Sequence, residues 1–403
     1  MDSFPVEIIS RYHYIDRVKP FVNTSLIKVL TGQRRVGKSY LLFQLMKYIT
    51  SQDSAANIIY INKEDLQFAF IKTANDLAEY VNQKKSITSK NYIFIDEIQD
   101  IEGFGIALRS LALDKNLDIY CTGSNADILS SDIAGHLSGR YVEIYVQSLS
   151  YSEFLSFHSL ESNTSSLELY LKYGGLPFLK HLSLEDEIVF EYLKNIYSTI
   201  VYRDIINRYA IRNAPFLEKL VHFLCSSTGS IFSSKKISDF LKSQKVNIPP
   251  NQVQIYVSHL VNAYLIYRVP RYDIIGKRIF EIGEKYYFEN SGIRHAIWGY
   301  RLEDRGKVME NAVHNHLVFC GYTVQVGVWM DKEIDFIALK NGEKWYIQVA
   351  LMLHNELTVQ RELGNLDKID DHYRKTLVTM DTYQGVSYKG IEITDLKTFL
   401  EGI

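Results

Sequence analysis

The run Gly32-Gln-Arg-Arg-Val-Gly37-Lys38-Ser39 sets a second glycine five positions after the first and follows it with a lysine and a hydroxyl. That spacing suits a loop that closes around a phosphate group. The glycines let backbone N–H groups approach the anion, and a helix starting just after the loop adds its positive end. Lys38 would then reach the β- and γ-phosphates of a nucleotide, and the Ser39 hydroxyl would ligate Mg²⁺. The expected nucleotide contacts are Gly32, Gln33, Arg34, Arg35, Val36, Gly37, Lys38, Ser39 and Tyr40. A turn that merely caps a helix is the competing reading, and the strand-loop-helix pattern around the run disfavours it.

An apolar run, Tyr92-Ile-Phe-Ile95, leads directly into Asp96-Glu97. An aspartate at the end of a buried strand can hold the Mg²⁺ shell, and the adjacent glutamate can polarise a water for in-line attack on the γ-phosphate. The next apolar run ends in Thr122-Gly-Ser-Asn125, whose polar groups would emerge beside that strand. Either Ser124 or Asn125 would meet the γ-phosphate or the attacking water, although a helix-capping turn uses the same residue types. The catalytic candidates read from these runs are Lys38, Glu97, Ser124 and Asn125, and the metal ligands are Ser39 and Asp96.

These residues need a sheet to hold them. Residues 26–30 have the composition of a buried strand, and Leu41, Leu42, Leu45, Met46 and Ile49 then recur on one helix face. Strand signals return at 58–61, 92–95, 117–120 and 141–145, mostly with helix-length spacers. That rhythm predicts an α/β fold over residues 1–150, with a parallel sheet covered by helices. Helical periodicity dominates 151–213, expected to form a lid or linker. In 214–295, three helices (216–225, 236–242 and one bearing Val253, Tyr256, Val257, Leu260 and Val261) precede strands at 265–269 and 285–288. This is the order of a winged helix. Residues 296–403 return to an α/β pattern, with a helix at 307–319, strands at 323–328, 334–339 and 344–349, and a helix at 355–370.

Lys plus Arg number 45 and Asp plus Glu 47, a formal net charge of −2. Near-neutrality excludes a protein that coats nucleic acid by bulk charge. Residues 201–295 nevertheless hold 14 basic and 7 acidic side chains, including Lys235, Lys236, Lys242, Lys245, Arg268, Arg271, Lys277 and Arg278. The presumed recognition helix has no charged residue, so only Asn251, Gln252, Gln254 or Ser258 could read bases. DNA held through its phosphates is one expected partner, and a docked protein is the alternative. Cys121, Cys225 and Cys320 form no Cys-x-x-Cys pair, and no apolar run approaches membrane-spanning length. A cytoplasmic location is expected.

A GTPase would place Asn-Lys-x-Asp after its Mg²⁺ strand, but Asn62-Lys63-Glu64-Asp65 comes before Asp96. The glutamate beside Asp96 and the strand before it instead look like the ATPase division that includes AAA+ proteins. Together the phosphate loop, residues 95–99, Thr122-Gly-Ser124 and Leu137-Ser-Gly-Arg140 resemble the AAA-type ATPases of bacteria and archaea that carry a C-terminal domain of unknown function. The blocks at 173–177, 202–205, 309–312 and 333–336 extend that resemblance over nearly the whole chain, with Met309 where the family more often has leucine. The resemblance implies ATP and Mg²⁺ as ligands, ATP hydrolysis as the activity, and an arginine, Arg140 or Arg203, completing the site from a neighbouring subunit or lid. Glu310, Asp335 and the strand at 346–350 resemble the restriction-endonuclease-like fold, whose metal site uses Asp followed by Glu-x-Lys. Gln348 and Ala350 stand at the last two positions, so nuclease chemistry is not expected. A nucleotide-gated scaffold with negligible hydrolysis is the alternative to an ATPase.

Overall fold

The computed structural model describes residues 8–129, 139–274, 283–329, 332–352, 363–381 and 386–402. Lys277, Arg278, Leu137, Ser138 and positions 355–362 of the expected helix lie outside them. The chain divides into two compact units, residues 1–147 with 262–264, and 148–261 with 265–403.

The first unit runs α1 (Tyr12–Val18), β1 (Ile27–Thr31), α2 (Lys38–Gln52), β2 (Asn57–Asn62), α3 (Ala74–Lys84), β3 (Asn91–Asp96), α4 (Phe104–Leu111), β4 (Leu117–Gly123) and β5 (Tyr141–Tyr145). Its five strands form an all-parallel sheet in the order β2-β3-β4-β1-β5. Every residue of β1, β3 and β4 is buried, which is why these strands appear in the sequence as nearly continuous apolar runs. On one face Val29, Ile93, Ile95 and Ile119 pack with Leu77 and Val81 of α3 and Leu108 of α4. Strand side chains alternate, so Lys28, Phe94 and Tyr120 lie on the other face. There Phe94 and Tyr120 stack with ring centroids 4.6 Å apart, and the buried Lys28 ammonium pairs with Asp118. Because the strands are parallel, the C-terminal ends of β1, β4 and β3 lie side by side. The loop after β1 therefore has the end of β4 beside it and the end of β3 one strand further on.

The second unit begins with α5 (Tyr151–His158), α6 (Thr164–Tyr173), α7 (Asp186–Thr199) and a π-helical continuation, Ile200–Asn207. Next come α8 (Ala214–Ser226), α9 (Ser234–Ser243), α10 (Pro250–Asn262), β6 (Ile266–Asp273) and β7 (Glu284–Phe288), the expected order of three helices and a hairpin. The chain continues through α11 (Ser291–Trp298), α12 (Arg305–Phe319), β8 (Thr323–Trp329), β9 (Lys332–Lys340), β10 (Glu343–Ala350), β11 (Arg374–Thr379), β12 (Val386–Tyr388), β13 (Ile391–Asp395) and α13 (Leu396–Glu401). The sequence reading lacks β11, β12, β13 and α13.

Strands β6 to β13 form one sheet, in the order β12-β13-β11-β10-β9-β8-β6-β7. The hairpin expected as a wing thus shares a sheet with the strands of the last segment. Its antiparallel pairing with β7 covers only Ile266 to Pro270, and Arg271 to Asp273 pair in parallel with Val326 to Val328 of β8. This second pairing satisfies backbone groups that the hairpin alone leaves open. Val269, Tyr287, Val313, Leu317 and Phe336 pack into a common core beneath this sheet.

Candidate functional site

The loop between β1 and α2 is built from backbone conformations that glycine favours. Gly32 has φ +142°, Arg35 +71° and Gly37 +95°, with Gly37 at the N-terminal cap of α2. A Cβ on Gly32 would lie 2.0 Å from the Val146 carbonyl oxygen, so no larger residue fits there. The buried Lys38 ammonium donates to the carbonyls of Gly32 (2.8 Å) and Gln33 (2.9 Å), spanning the loop from within. Gln33 is buried and donates to the Tyr264 carbonyl at 3.0 Å, while Arg34 pairs with Glu64 at 3.2 Å. Val36 is buried, whereas Arg35 and Tyr40 are exposed.

Asp96 ends β3 on the same face as Tyr60 of β2 and Thr122 of β4, as the two-residue period of the strands requires. Its carboxylate accepts from the Thr122 hydroxyl and is also hydrogen-bonded to Ser39 and Tyr60. Burial pushes the Asp96 carboxyl above its ordinary range, against the opposing bonds from Ser39 and Thr122. Burial also disfavours charge on Glu97, but Lys38 and Arg34 outweigh it and hold this carboxyl below the ordinary value. Glu97 sits at φ +56°, and its N–H donates to the Thr122 hydroxyl at 2.9 Å. Its Oε2 accepts from Ser124 at 3.1 Å and from Gln99. Asn125 is buried beside them, and its Oδ1 accepts from the Asp127 N–H at 2.8 Å, the bond of a capping turn.

Lys38, Ser39, Asp96, Glu97 and Ser124 are therefore brought together. Arg140 is not. Its carbonyl accepts from the N–H of Ile27, the first residue of β1, whereas the phosphate loop follows the last. Arg140 is exposed at the opposite end of the parallel sheet, because β5 runs in the same direction as β1. Arg203 is exposed on the π-helical segment of the second unit. Four residues at the site are absent from the sequence-based list: Arg11, Tyr60, Gln99 and Thr122. The strand period points to Tyr60 and Thr122, and Gln99 follows Glu97 by two positions. Nothing in the sequence marks Arg11.

The Ser39 hydroxyl and Asp96 carboxylate together offer a divalent cation two hard oxygen donors. That set fits Mg²⁺, which keeps several waters and takes further oxygens from bound phosphates. A second polar cluster lies in the other unit. The buried Lys285 ammonium is 2.9 Å from Glu310, 2.7 Å from Glu333 and 3.9 Å from Asp335, and Tyr287 donates to Glu310 at 2.6 Å. Asp335 accepts from the Val349 N–H at 2.8 Å, and Gln348 accepts from the Asp335 N–H at 3.4 Å. A lysine thus sits among the carboxylates that a nuclease would turn toward metal. Among the described residues, no group of three or more His, Cys, Asp or Glu side chains is arranged to hold a metal ion. Nor is any helix there long and apolar enough to cross a membrane.

Residues 24–155 match the model of an AAA domain, and residues 164–304 match a domain of unknown function (DUF8612). An uncharacterized protein of Haemophilus influenzae is 36% identical over 393 residues, which span 96% of this chain and 97% of the relative. The chain belongs to the same AAA-domain family. An uncharacterized protein of Methanocaldococcus jannaschii is 28% identical over 398 residues, covering 93% of this chain and 86% of the relative. Among solved structures, the chain has a weak likeness to the Aeropyrum pernix ORC1 protein in complex with DNA, with a TM-score of 0.32 and 12% identity over 73% of this chain and 93% of the other. Replication initiator DnaA bound to AMPPCP and single-stranded DNA gives a TM-score of 0.33 and 16% identity, over 63% of this chain and 90% of the other. The phosphate loop, the Asp96-Glu97 pair and Ser124 all fall inside the matched AAA domain.

Proposed function

We propose that the first unit binds ATP and hydrolyses it with Mg²⁺, and that the nucleotide state is relayed to the second unit. The observation that carries this reading is the convergence of Lys38, Ser39, Asp96, Glu97 and Ser124 at the ends of β1, β3 and β4. Backbone N–H groups of the loop and the start of α2 bind the phosphates, and Lys38 exchanges its bonds to Gly32 and Gln33 for phosphate oxygens. Ser39 and Asp96 would hold Mg²⁺, which would neutralise charge on the phosphates. Glu97, kept ionised by Lys38 and Arg34, orients the attacking water and accepts its proton. Ser124 fixes that carboxylate, which favours it over Asn125 for the sensor role. The relay runs through Gln33 to the backbone of Tyr264, a residue that stands two positions before β6 in the chain.

In the second unit, Lys235, Lys236, Lys242 and Lys245 are exposed on and just after α9, which supports contact with DNA phosphates. Arg268 contributes less, because it is paired with Glu284. A second reading, a nucleotide-gated scaffold that hardly hydrolyses ATP, is favoured by one observation: Glu97 Oε2 is already engaged by Gln99 and Ser124.

Phosphate release by the whole chain, measured with and without duplex DNA, tests both. Turnover is expected to vanish in Lys38→Ala through loss of ATP binding, and in Glu97→Gln with ATP binding retained. Unchanged release in both variants rules out this site, and tight ATP binding without release establishes the scaffold.

A further inference from the structure

Arg11 precedes α1 and belongs to no recognised motif, yet it is only 3% exposed. Its Nη1 donates to the Val36 carbonyl at 2.9 Å and to the Gln147 carbonyl at 3.0 Å. The surroundings fix the guanidinium from several directions. The Arg11 backbone N–H donates to the Gln44 side chain of α2 at 2.9 Å, which anchors the residue, the guanidinium carbon lies 4.6 Å from the centre of the Tyr14 ring, and the Gln147 N–H donates to the Tyr14 hydroxyl at 3.0 Å. A buried guanidinium is retained only where such bonds offset its lost hydration.

We infer that Arg11 is the positioning residue of the phosphate loop, setting the direction in which the Gly37 N–H points without touching the nucleotide. This inference rests on the nucleotide reading above. The peptide bond between Val36 and Gly37 is trans, as are all those described, so its C=O and N–H point to opposite sides of one plane. A donor that holds the Val36 carbonyl therefore turns the Gly37 N–H the other way, to the side where an anion binds. The loop needs such a tie, because Arg35, next to Val36, has left-handed backbone that a non-glycine residue holds only when its surroundings support it. The same guanidinium ties Val36 to Gln147, just past the end of β5, so the loop is referenced to the sheet edge as well as to α2. The ligand class is a nucleoside di- or triphosphate, with selectivity for the phosphates.

Titration calorimetry with ADP and steady-state ATP hydrolysis, on the full chain, test this. In Arg11→Met the ADP dissociation constant and the KM for ATP are expected to rise by about tenfold or more, with kcat changed by less than about threefold. Arg11→Lys, which keeps the charge but not the planar donor, should fall between, and free guanidinium should restore ADP affinity to Arg11→Ala. A residue that only supports folding would give neither the KM-against-kcat split nor the rescue. If Arg11→Met does not fold, Arg11→Lys carries the test by the same split. ADP binding lost in Lys38→Ala but undiminished in Arg11→Met and Arg11→Lys overturns this inference alone. Failure of the unaltered chain to bind ADP overturns the nucleotide reading with it.

Discussion

Lys285 keeps its charge in a place where burial works against it, because Glu310, Asp335 and Glu333 together outweigh the lost hydration and raise its pKa. Burial and the neighbouring Glu310 in turn push the Asp335 carboxyl well above its ordinary range, with Lys285 opposing. The ammonium is thus shared among three carboxylates, and Gln348 and Ala350 stand where a nuclease would carry an acid and a lysine. Lys285→Met should destabilise the second unit by about 3–5 kcal/mol at pH 7, the usual result of removing one partner from a buried ionic group. Urea unfolding would show it. In the variant the unpaired carboxylates bind protons more readily folded than unfolded, so its deficit relative to the unaltered chain should shrink as the pH is lowered toward 5. A variant as stable as the unaltered chain at pH 7 would mean the cluster is hydrated and the lysine dispensable.

At the scale of elements, β4 separates β1 from β3, and Thr122 near its end makes one side chain serve both neighbouring acids. The hydroxyl donates to Asp96 and accepts from the N–H of Glu97, which holds Glu97 in its left-handed conformation. Thr122→Val keeps the shape and removes both bonds. Turnover is expected to fall roughly ten- to a hundredfold with ATP affinity little changed, a split that rapid-mixing and binding measurements would detect. Equal losses in affinity and turnover would show that Thr122 serves the fold and not the acids. Much of this arrangement was legible in the sequence, because strands buried on both faces are apolar throughout and their polar ends stand out, as at Asp96-Glu97 and Ser124. Partners that arrive from elsewhere in the chain were not. Arg11 acts through backbone carbonyls of residues far away in sequence, and no local pattern signals that. Arg140 adjoins β5 at the end of the sheet away from the phosphate loop, so it does not reach the site of its own chain, and adjacency in sequence does not say which end of a strand a residue occupies. Strands β11 to β13 lie beyond residue 370, where the sequence suggests no further element, although Ile391 and Ile393 alternate as strand residues do.

Across the whole molecule, the 36% identical relative is matched almost end to end, so the AAA domain and the second unit occur together in this family. The two units should differ in their response to acid. His158, His295, His314 and His316 all lie in the second unit, and burial lowers each pKa from 6.5 to about 4. Between those values the unfolded chain binds protons that the folded chain does not, so stability is full above pH 6.5 and falls as the pH drops toward 4. The loss approaches roughly 3 kcal/mol for each fully buried ring. Thermal melts from pH 7 to 4.5 should therefore show the second unit's transition moving to lower temperature while ADP binding by the first unit persists. A second-unit transition that does not move with pH would mean that these rings take up protons without unfolding.

The pairing of β6 with β8 also matters before the protein is complete. Strands β6 and β7 are local and can form a hairpin as soon as both have been synthesised, but Arg271 to Asp273 find their partners only once Val326 to Val328 have followed. At ribosomal rates of roughly 5–20 residues per second, that leaves this short strand edge open for several seconds, while α11 and α12 are still being made. The hairpin of the nascent chain is thus a natural place for a chaperone to bind, and slowed translation between residues 289 and 322 would lengthen its exposure.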